Sequence, residues 1–297
     1  MLGAGVEHLV ARLFERGVWT VCGDHTALSK ILEPQQFFAG LDALAIPHPE
    51  TRFTRPERHH AWLSKIRNSC GGMGVRRNAE LSADSEHCYW QQEISGVPIS
   101  ALCLAQVSGV TCIGINRQFV NHRLSPDYPY IFAGLYINYQ IGHAAASIID
   151  EYLNAVANYF NYTGVFSLDM IYAHEGIYVL EMNPRISASF ELYEEVNPEL
   201  NLVDAHIRVC DRERSFQVPS LVARSRAYRI VYASADLRIP ESISWPEWVK
   251  DRPASKSHVA KGDPLCSVHC SSHELTIDNT LALLDQQECE LLELVNS

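Results

Sequence analysis

Two acids interrupt consecutive apolar runs in GVFSLDMIYAHEGIYVLEMNPRISASFE, residues 164–191. Asp169 lies inside VFSLDMIYA. After a short turn at HEG, Glu181 lies inside IYVLEMN, and Asn183 and Arg185 follow it at alternate positions. Strand side chains alternate between faces, so Glu181, Asn183 and Arg185 share one. If the two runs pair as a hairpin, Asp169 projects beside Glu181 as a cross-strand neighbour. Two carboxylates that close repel each other and lose hydration, unless a divalent cation sits between them. Asn183 adds a neutral carbonyl oxygen. Three oxygen donors suit Mg²⁺, or Mn²⁺, which fills the rest of its shell with water and phosphate oxygens. The competing reading puts the acids on the solvated face of an antiparallel hairpin; three oxygen donors coinciding with an arginine favour the cation.

Such a hairpin needs a sheet and a helix to hold it. IGHAAASIIDEYLNAVANYFN carries apolar residues at three- and four-residue steps, which predicts an amphipathic helix, and Gly164 follows as its stop signal. Upstream, ISALCLAQ, VTCIGINRQFV and YIFAGLYINYQ read as consecutive strands. HAWLSKI and CYWQQEI are further strands, separated by the glycine-rich NSCGGMGVRR. EPQQFFAGLDALAIPHPE reads as a helix closed by Pro47 and Pro49. LGAGVEHLVARLFERG reads as a glycine turn entering a helix, with VWTVCGD a short strand after it. Downstream, PELNLVDAHIRVC is expected to be helical, RAYRIVYASADLRI and LCSVHCS to be strands, WPEWVKDRP an aromatic loop, and IDNTLALLDQQECELLELVNS a closing helix. In CSVHCSSH, the set Cys266, His269, Cys270 and His273 has spacing compatible with zinc. The segment also alternates as a strand and has no distant second ligand pair, so strand and turn residues are the default.

Composition narrows the class. The chain has 297 residues, 47% of them hydrophobic, enough for a large core and one to three domains. A net charge of −11 without a clustered basic run argues against a nucleic-acid partner. No apolar run reaches membrane-spanning length, and the start lacks the pattern of a signal peptide. Nine scattered cysteines read as reduced thiols, giving a cytoplasmic expectation.

The hairpin resembles the metal-binding hairpin of the ATP-grasp superfamily, whose signature is an Asp on one strand and Glu-x-Asn on the next. The Glu181-Met182-Asn183-Pro184-Arg185 form is similar to that of biotin carboxylase and carbamoyl phosphate synthetase. The resemblance implies further parts in order. Lys65 precedes Gly71, Gly72 and Gly74, whose backbone can approach phosphate oxygens while the lysine supplies charge. Gln92, Glu93 and Ile94 of WQQEISGVP stand where a hinge strand seats adenine and ribose. The match covers roughly residues 50–200. It implies an α+β fold: two α+β subdomains clamping ATP, with a partial α/β domain before them and a small β-rich extension after.

The expected boundaries are 1–50 for the remnant N-terminal domain, 51–96 for the small ATP-grasp subdomain, 97–224 for the large subdomain with the metal site, and 225–297 for the extension and final helix. Carried over by position, Asp169, Glu181 and Asn183 hold Mg²⁺. Lys65 neutralises phosphate charge, and Arg185 lies beside the transferring phosphoryl group or orients a carboxylate. Arg76 and Arg77 follow the glycines, and Arg117, Gln118 and Gly134 fall in strands that line the substrate side or pack the sheet. The implied ADP-forming reaction joins a small-molecule carboxylate to an amine, or to a thiol, through an acyl phosphate, with homodimers common in the superfamily. The N-terminal LGAGVE and FFAGLDALAIPHPE and the later GDPLCSVH resemble a group of predicted ATP-dependent carboligases. That group is related to the enzyme joining tyramine to glutamate in methanofuran and tetrahydromethanopterin pathways. The short N-terminal part departs from the usual pattern, which leaves open a nucleotide-binding protein without turnover. The arginine position also permits a carboxylase using bicarbonate.

Overall fold

The computed structural model describes residues 25–56, 61–67, 69–77, 87–120, 128–211, 215–270 and 276–296; the glycine turn, helix and strand expected over residues 1–24, and His273, lie outside them. In chain order the elements begin with α1 (His25–Leu32) and α2 (Pro34–Ala43). The strands β1 (Thr51–Arg52), β2 (Trp62–Ile66), β3 (Val75–Arg77) and β4 (Cys88–Gln92) follow. Next come β5 (Val97–Gln106), β6 (Gly109–Val120), β7 (Phe132–Tyr136), α3 (His143–Tyr159), β8 (Gly164–Tyr172) and β9 (Ile177–Asn183). The remainder is α4 (Phe190–Val196), α5 (Leu202–Cys210), β10 (Ala227–Tyr232), β11 (Leu237–Arg238), β12 (Val249–Lys250), β13 (His258–Val259), β14 (Pro264–Cys270) and α6 (Ile277–Asn296).

Helix α2 starts where the sequence marks it. Pro34 occupies the first turn, where no N–H is required, and the Glu33 side chain accepts from Gln35 N. Helix α3 buries Ala145, Ile149, Leu153, Val156 and Ala157, the stripe that its spacing predicts. Two helices are not foreseen from the sequence, α1 and α4. Both are short, and α4 (FELYEEV) is stabilised mainly by burying Leu192, Tyr193 and Val196.

The strands form a four-stranded sheet in the order β1-β4-β2-β3 and an eight-stranded sheet in the order β12-β14-β10-β7-β6-β5-β8-β9; a ribbon of β11 and β13 stands apart. Every pairing among the described residues is antiparallel. Three strands of the segment 225–297 enter the large sheet through β10, which pairs with β7, so the segment is continuous with residues 97–224.

The large sheet buries both faces. One face packs Ile99, Ala101, Leu168 and Met170 against α3 and the aromatic end of α2, with Phe37 stacked on Phe160 at 5.7 Å. Val231, Cys266 and Val268 continue that face under α6. The opposite face packs Leu102, Leu135 and Val165 against α4 and α5. This second face also bears Asp169 and, through the register, Ser100 and Glu181. Mixed α and β layers around antiparallel sheets are the α+β class expected from the sequence.

Candidate active site

The hairpin closes in the register that its spacing requires. Asp169 of β8 stands directly opposite Glu181 of β9, with a bulge immediately after the pair. The bulge bends the strand and aims the two carboxyls into one cavity. Glu181 is exposed to that cavity, whereas Asp169 lies deeper. Burial, and then the neighbouring Glu181 charge, push the Asp169 carboxyl up to about 8; Gln118 and Arg185 oppose the shift.

Asn183 adds a feature that sequence spacing cannot show. Its Nδ2 donates to Asp169 Oδ2 and to Glu181 Oε1, both at 3.2 Å, while its Oδ1 accepts from Arg185 Nη2 at 3.3 Å. The amide nitrogen thus occupies the gap between the acids. Two carboxylates, with an amide that can turn its oxygen inward, form a donor set that fits Mg²⁺.

Lys65 of β2 and the glycine loop form the opposing wall. A cavity of ≈ 360 Å³ is lined by Lys65, Gly71 and Gly72 on one side and by Asp169, Glu181 and Arg185 on the other. Lys65 is half-buried and reaches the cavity lumen. Burial lowers its pKa, and the charges of Glu181 and Asp169 pull it back. The glycine loop is docked on the large sheet, with Phe132 N donating to Gly71 O at 2.8 Å. Gly72 has φ +77°, and a Cβ there would lie 1.9 Å from Tyr130 O, so only glycine permits this approach. Gly74 faces away: its carbonyl accepts from Ile66 N, and its α-carbon packs on Ser69.

The hinge residues are placed differently from the expectation. Gln92 N and Glu93 N donate to Glu50 O and Ala61 O, so these backbone donors are used within the small sheet. The Glu93 carboxylate accepts from Arg77 and from Tyr130 Oη, and Arg77 foremost holds it below its ordinary range. Neither these two residues nor Ile94 lines the cavity. Its apolar wall includes Phe38, Tyr89 and Met182. Tyr89 pairs with Lys65 across β4 and β2, a position readable only once the register is known.

The remaining sequence candidates are divided. Gln118 lines the cavity with Asp169 and opposes the rise of that carboxyl's pKa, whereas the Arg117 guanidinium lies 5.9 Å over Tyr139 and Gly134 packs on the backbone of β10. Arg76 stacks on Tyr128 at 4.7 Å and donates to Met73 O. In β14, Cys266 and Cys270 point into the core while His269 stacks on Tyr228 from the other face, so strand alternation separates them.

Residues 35–189 match the family described as the ATP-grasp domain. No curated protein matches the chain. Among solved structures, the chain superposes on Rhizobium etli pyruvate carboxylase with a TM-score of 0.70 at 13% identity, covering 94% of this chain and 28% of that one. The L-amino acid ligase from Bacillus licheniformis gives a TM-score of 0.70 at 12% identity, covering 92% and 74%. The biotin carboxylase domain of Hydrogenobacter thermophilus 2-oxoglutarate carboxylase, solved as a dimer with MgADP and bicarbonate, gives 0.69 at 12% identity, covering 90% and 68%. These likenesses show a shared fold.

Proposed function

This chain belongs to the ATP-grasp family, and we propose that it is an ATP-dependent, ADP-forming ligase that activates a carboxylate and joins it to an amine. The observation that carries the reading is one cavity holding the Asp169–Glu181 pair opposite Lys65 and the docked glycine loop. Asp169, Glu181 and Asn183 are the residues that would hold Mg²⁺, which when bound offsets phosphate charge. Gly71 and Gly72 admit phosphate oxygens close to the backbone, and Lys65 and Arg185 face the charge that develops during transfer. Phe38, Tyr89 and Met182 offer the apolar surface for a base.

A carboxylate oxygen attacks the γ-phosphorus, the bond to the bridging oxygen breaks, and ADP leaves. The amine nitrogen then attacks the acyl carbon, phosphate departs, and the amine loses a proton. Because the chemistry is mostly positioning and charge stabilisation, no Ser/His/Asp set is required. Docking of the glycine loop on Tyr130–Phe132 excludes water from the acyl phosphate.

Amino acids, glutamate among them, are the first acceptors to examine, following the resemblance to carboligases of one-carbon cofactor synthesis and the fold shared with an amino acid ligase. The fold shared with two carboxylases favours bicarbonate as a second acid. Small-molecule substrates, a cytoplasmic setting with reduced cysteines, and a homodimer complete the reading. The test is ADP release from MgATP with pooled amino acids, with and without bicarbonate. Release that needs an amino-acid pair supports the ligase, and release that needs bicarbonate supports the carboxylase. Tight nucleotide binding with no release under either condition rejects both in favour of a binding protein without turnover.

A further inference from the structure

We propose that Ser100 is a substrate-binding residue whose hydroxyl is oriented by a buried relay through Asn116 and Tyr193 to donate to an anionic oxygen in the cavity. That oxygen belongs to the transferring phosphoryl group or to the carboxylate that receives it. The inference rests on the nucleotide-dependent reading above.

Ser100 of β5 lies directly opposite Asp169 of β8 and lines the same cavity, although it is only 4% exposed. Side chains directly opposite in antiparallel strands sit about 5 Å apart, so the hydroxyl is next to the acid pair. Its oxygen accepts from Asn116 Nδ2 at 3.1 Å.

The direction of that bond is fixed further back. The Asn138 backbone N–H donates to Tyr193 Oη at 3.4 Å, and Tyr193 donates its own proton to Asn116 Oδ1 at 2.8 Å. A backbone N–H can only donate, so the tyrosine proton goes to Asn116. Asn116 must then present its oxygen to Tyr193 and its nitrogen to Ser100. The Ser100 oxygen is an acceptor from behind, and its proton points forward, toward the cavity.

The relay is built into the fold. Asn116 is fully buried and Tyr193 is 1% exposed. A Cβ on Gly114 would fall 2.3 Å from Tyr193 Oη, so glycine makes room for the tyrosine ring to lie against β6 beside Asn116. Buried polar groups of this kind are costly unless all are paired, and this chain is paired up to its last proton, which faces the ligand space. Tyr193 belongs to α4, the helix that follows the Arg185 segment, so the relay also ties that segment to β6.

The test is calorimetric titration of the MgADP complex with inorganic phosphate and, separately, with acetate. A hydrogen bond to a charged acceptor predicts that Ser100→Ala weakens one or both anions by about tenfold or more. MgADP affinity is expected to stay within about twofold, and Ser100→Thr to restore most of the anion affinity. Loss on phosphate alone assigns the phosphoryl group, and loss on acetate alone assigns the carboxylate. Tyr193→Phe, which frees Asn116 to turn, weakens the same anion by a smaller factor and covers the case of an unstable Ser100→Ala.

Unchanged anion binding in both variants overturns the inference, as does an equal loss of MgADP and anion affinity, or a wild-type MgADP complex that takes up neither anion. A wild-type chain that does not bind MgADP overturns the nucleotide reading itself, and this inference with it.

Discussion

Asp169 and Glu181 face each other across β8 and β9, and the side-chain nitrogen of Asn183 donates to both. Burial first, and the charge of Glu181 second, push the deeper Asp169 carboxyl up to about 8. Glu181→Gln removes one charge while keeping the shape. The expected result is a higher melting temperature without metal, no added stability from Mg²⁺, and nucleotide binding that no longer responds to EDTA. Thermal melts with and without Mg²⁺ check this, and an undiminished Mg²⁺ effect in the variant contradicts the assigned pair.

Lys65 is a charge that the fold desolvates, since burial outweighs the pull of the two acids on its pKa. Lys65→Met keeps the length of the side chain and removes the charge. Its melting temperature should equal or exceed that of the wild type, while MgATP affinity falls by about tenfold or more, the loss of one charge-assisted contact. Fluorescence titration beside a thermal melt separates the two effects. A variant that melts early yet binds MgATP normally makes the lysine structural.

Gly72→Ala places a methyl group against Tyr130 O in a backbone conformation with φ +77°. The loop must then lift from the sheet. A destabilisation of about 1–3 kcal/mol is expected in urea unfolding, together with faster amide exchange at Phe132, whose N–H donates to Gly71.

His269 gives a pH dependence away from the cavity. Burial, then the charge of Lys250, lowers its pKa from 6.5 to about 4 in the folded chain. The unfolded chain therefore binds more protons between these values, so the neutral ring contributes stability above about pH 6.5 that is lost as pH falls toward 4. His269→Gln should flatten the melting-temperature profile over that window and leave it unaltered above pH 7. A profile as steep as that of the wild type would mean that other groups cause the acid loss.

Much of the site was legible through period-two alternation. Glu181, Asn183 and Arg185 could be assigned to one face from spacing, Asp169 beside them once the two runs were taken as a hairpin, and Lys65 to the strand before the glycines. The hinge was not legible. Whether the backbone donors of Gln92 and Glu93 serve a ligand or the small sheet depends on pairing with residues 50 and 61, which no local pattern encodes. Nor could spacing find Ser100 and Tyr89, which become neighbours of the acids and of Lys65 only through strand register. The amide of Asn183 shows a further limit, since sequence names the donor group without saying which end of it faces the acids. Helix α4 escaped notice because seven residues carry too little periodicity, and its tyrosine acts through depth of burial.

The union of β10 with β7 bears on where the chain tolerates cutting. The match to the family ends at residue 189, yet β7 has its second neighbour only through Ala227–Tyr232. A fragment stopping at 189 would leave Phe132–Tyr136 as a bare rim with unpaired amides and carbonyls, prone to self-association. It would also lack Tyr193, and with it the backing of Asn116 and Ser100. Recombinant versions intended for assay should therefore run at least through Cys270, so that the sheet retains β14 as well as β10.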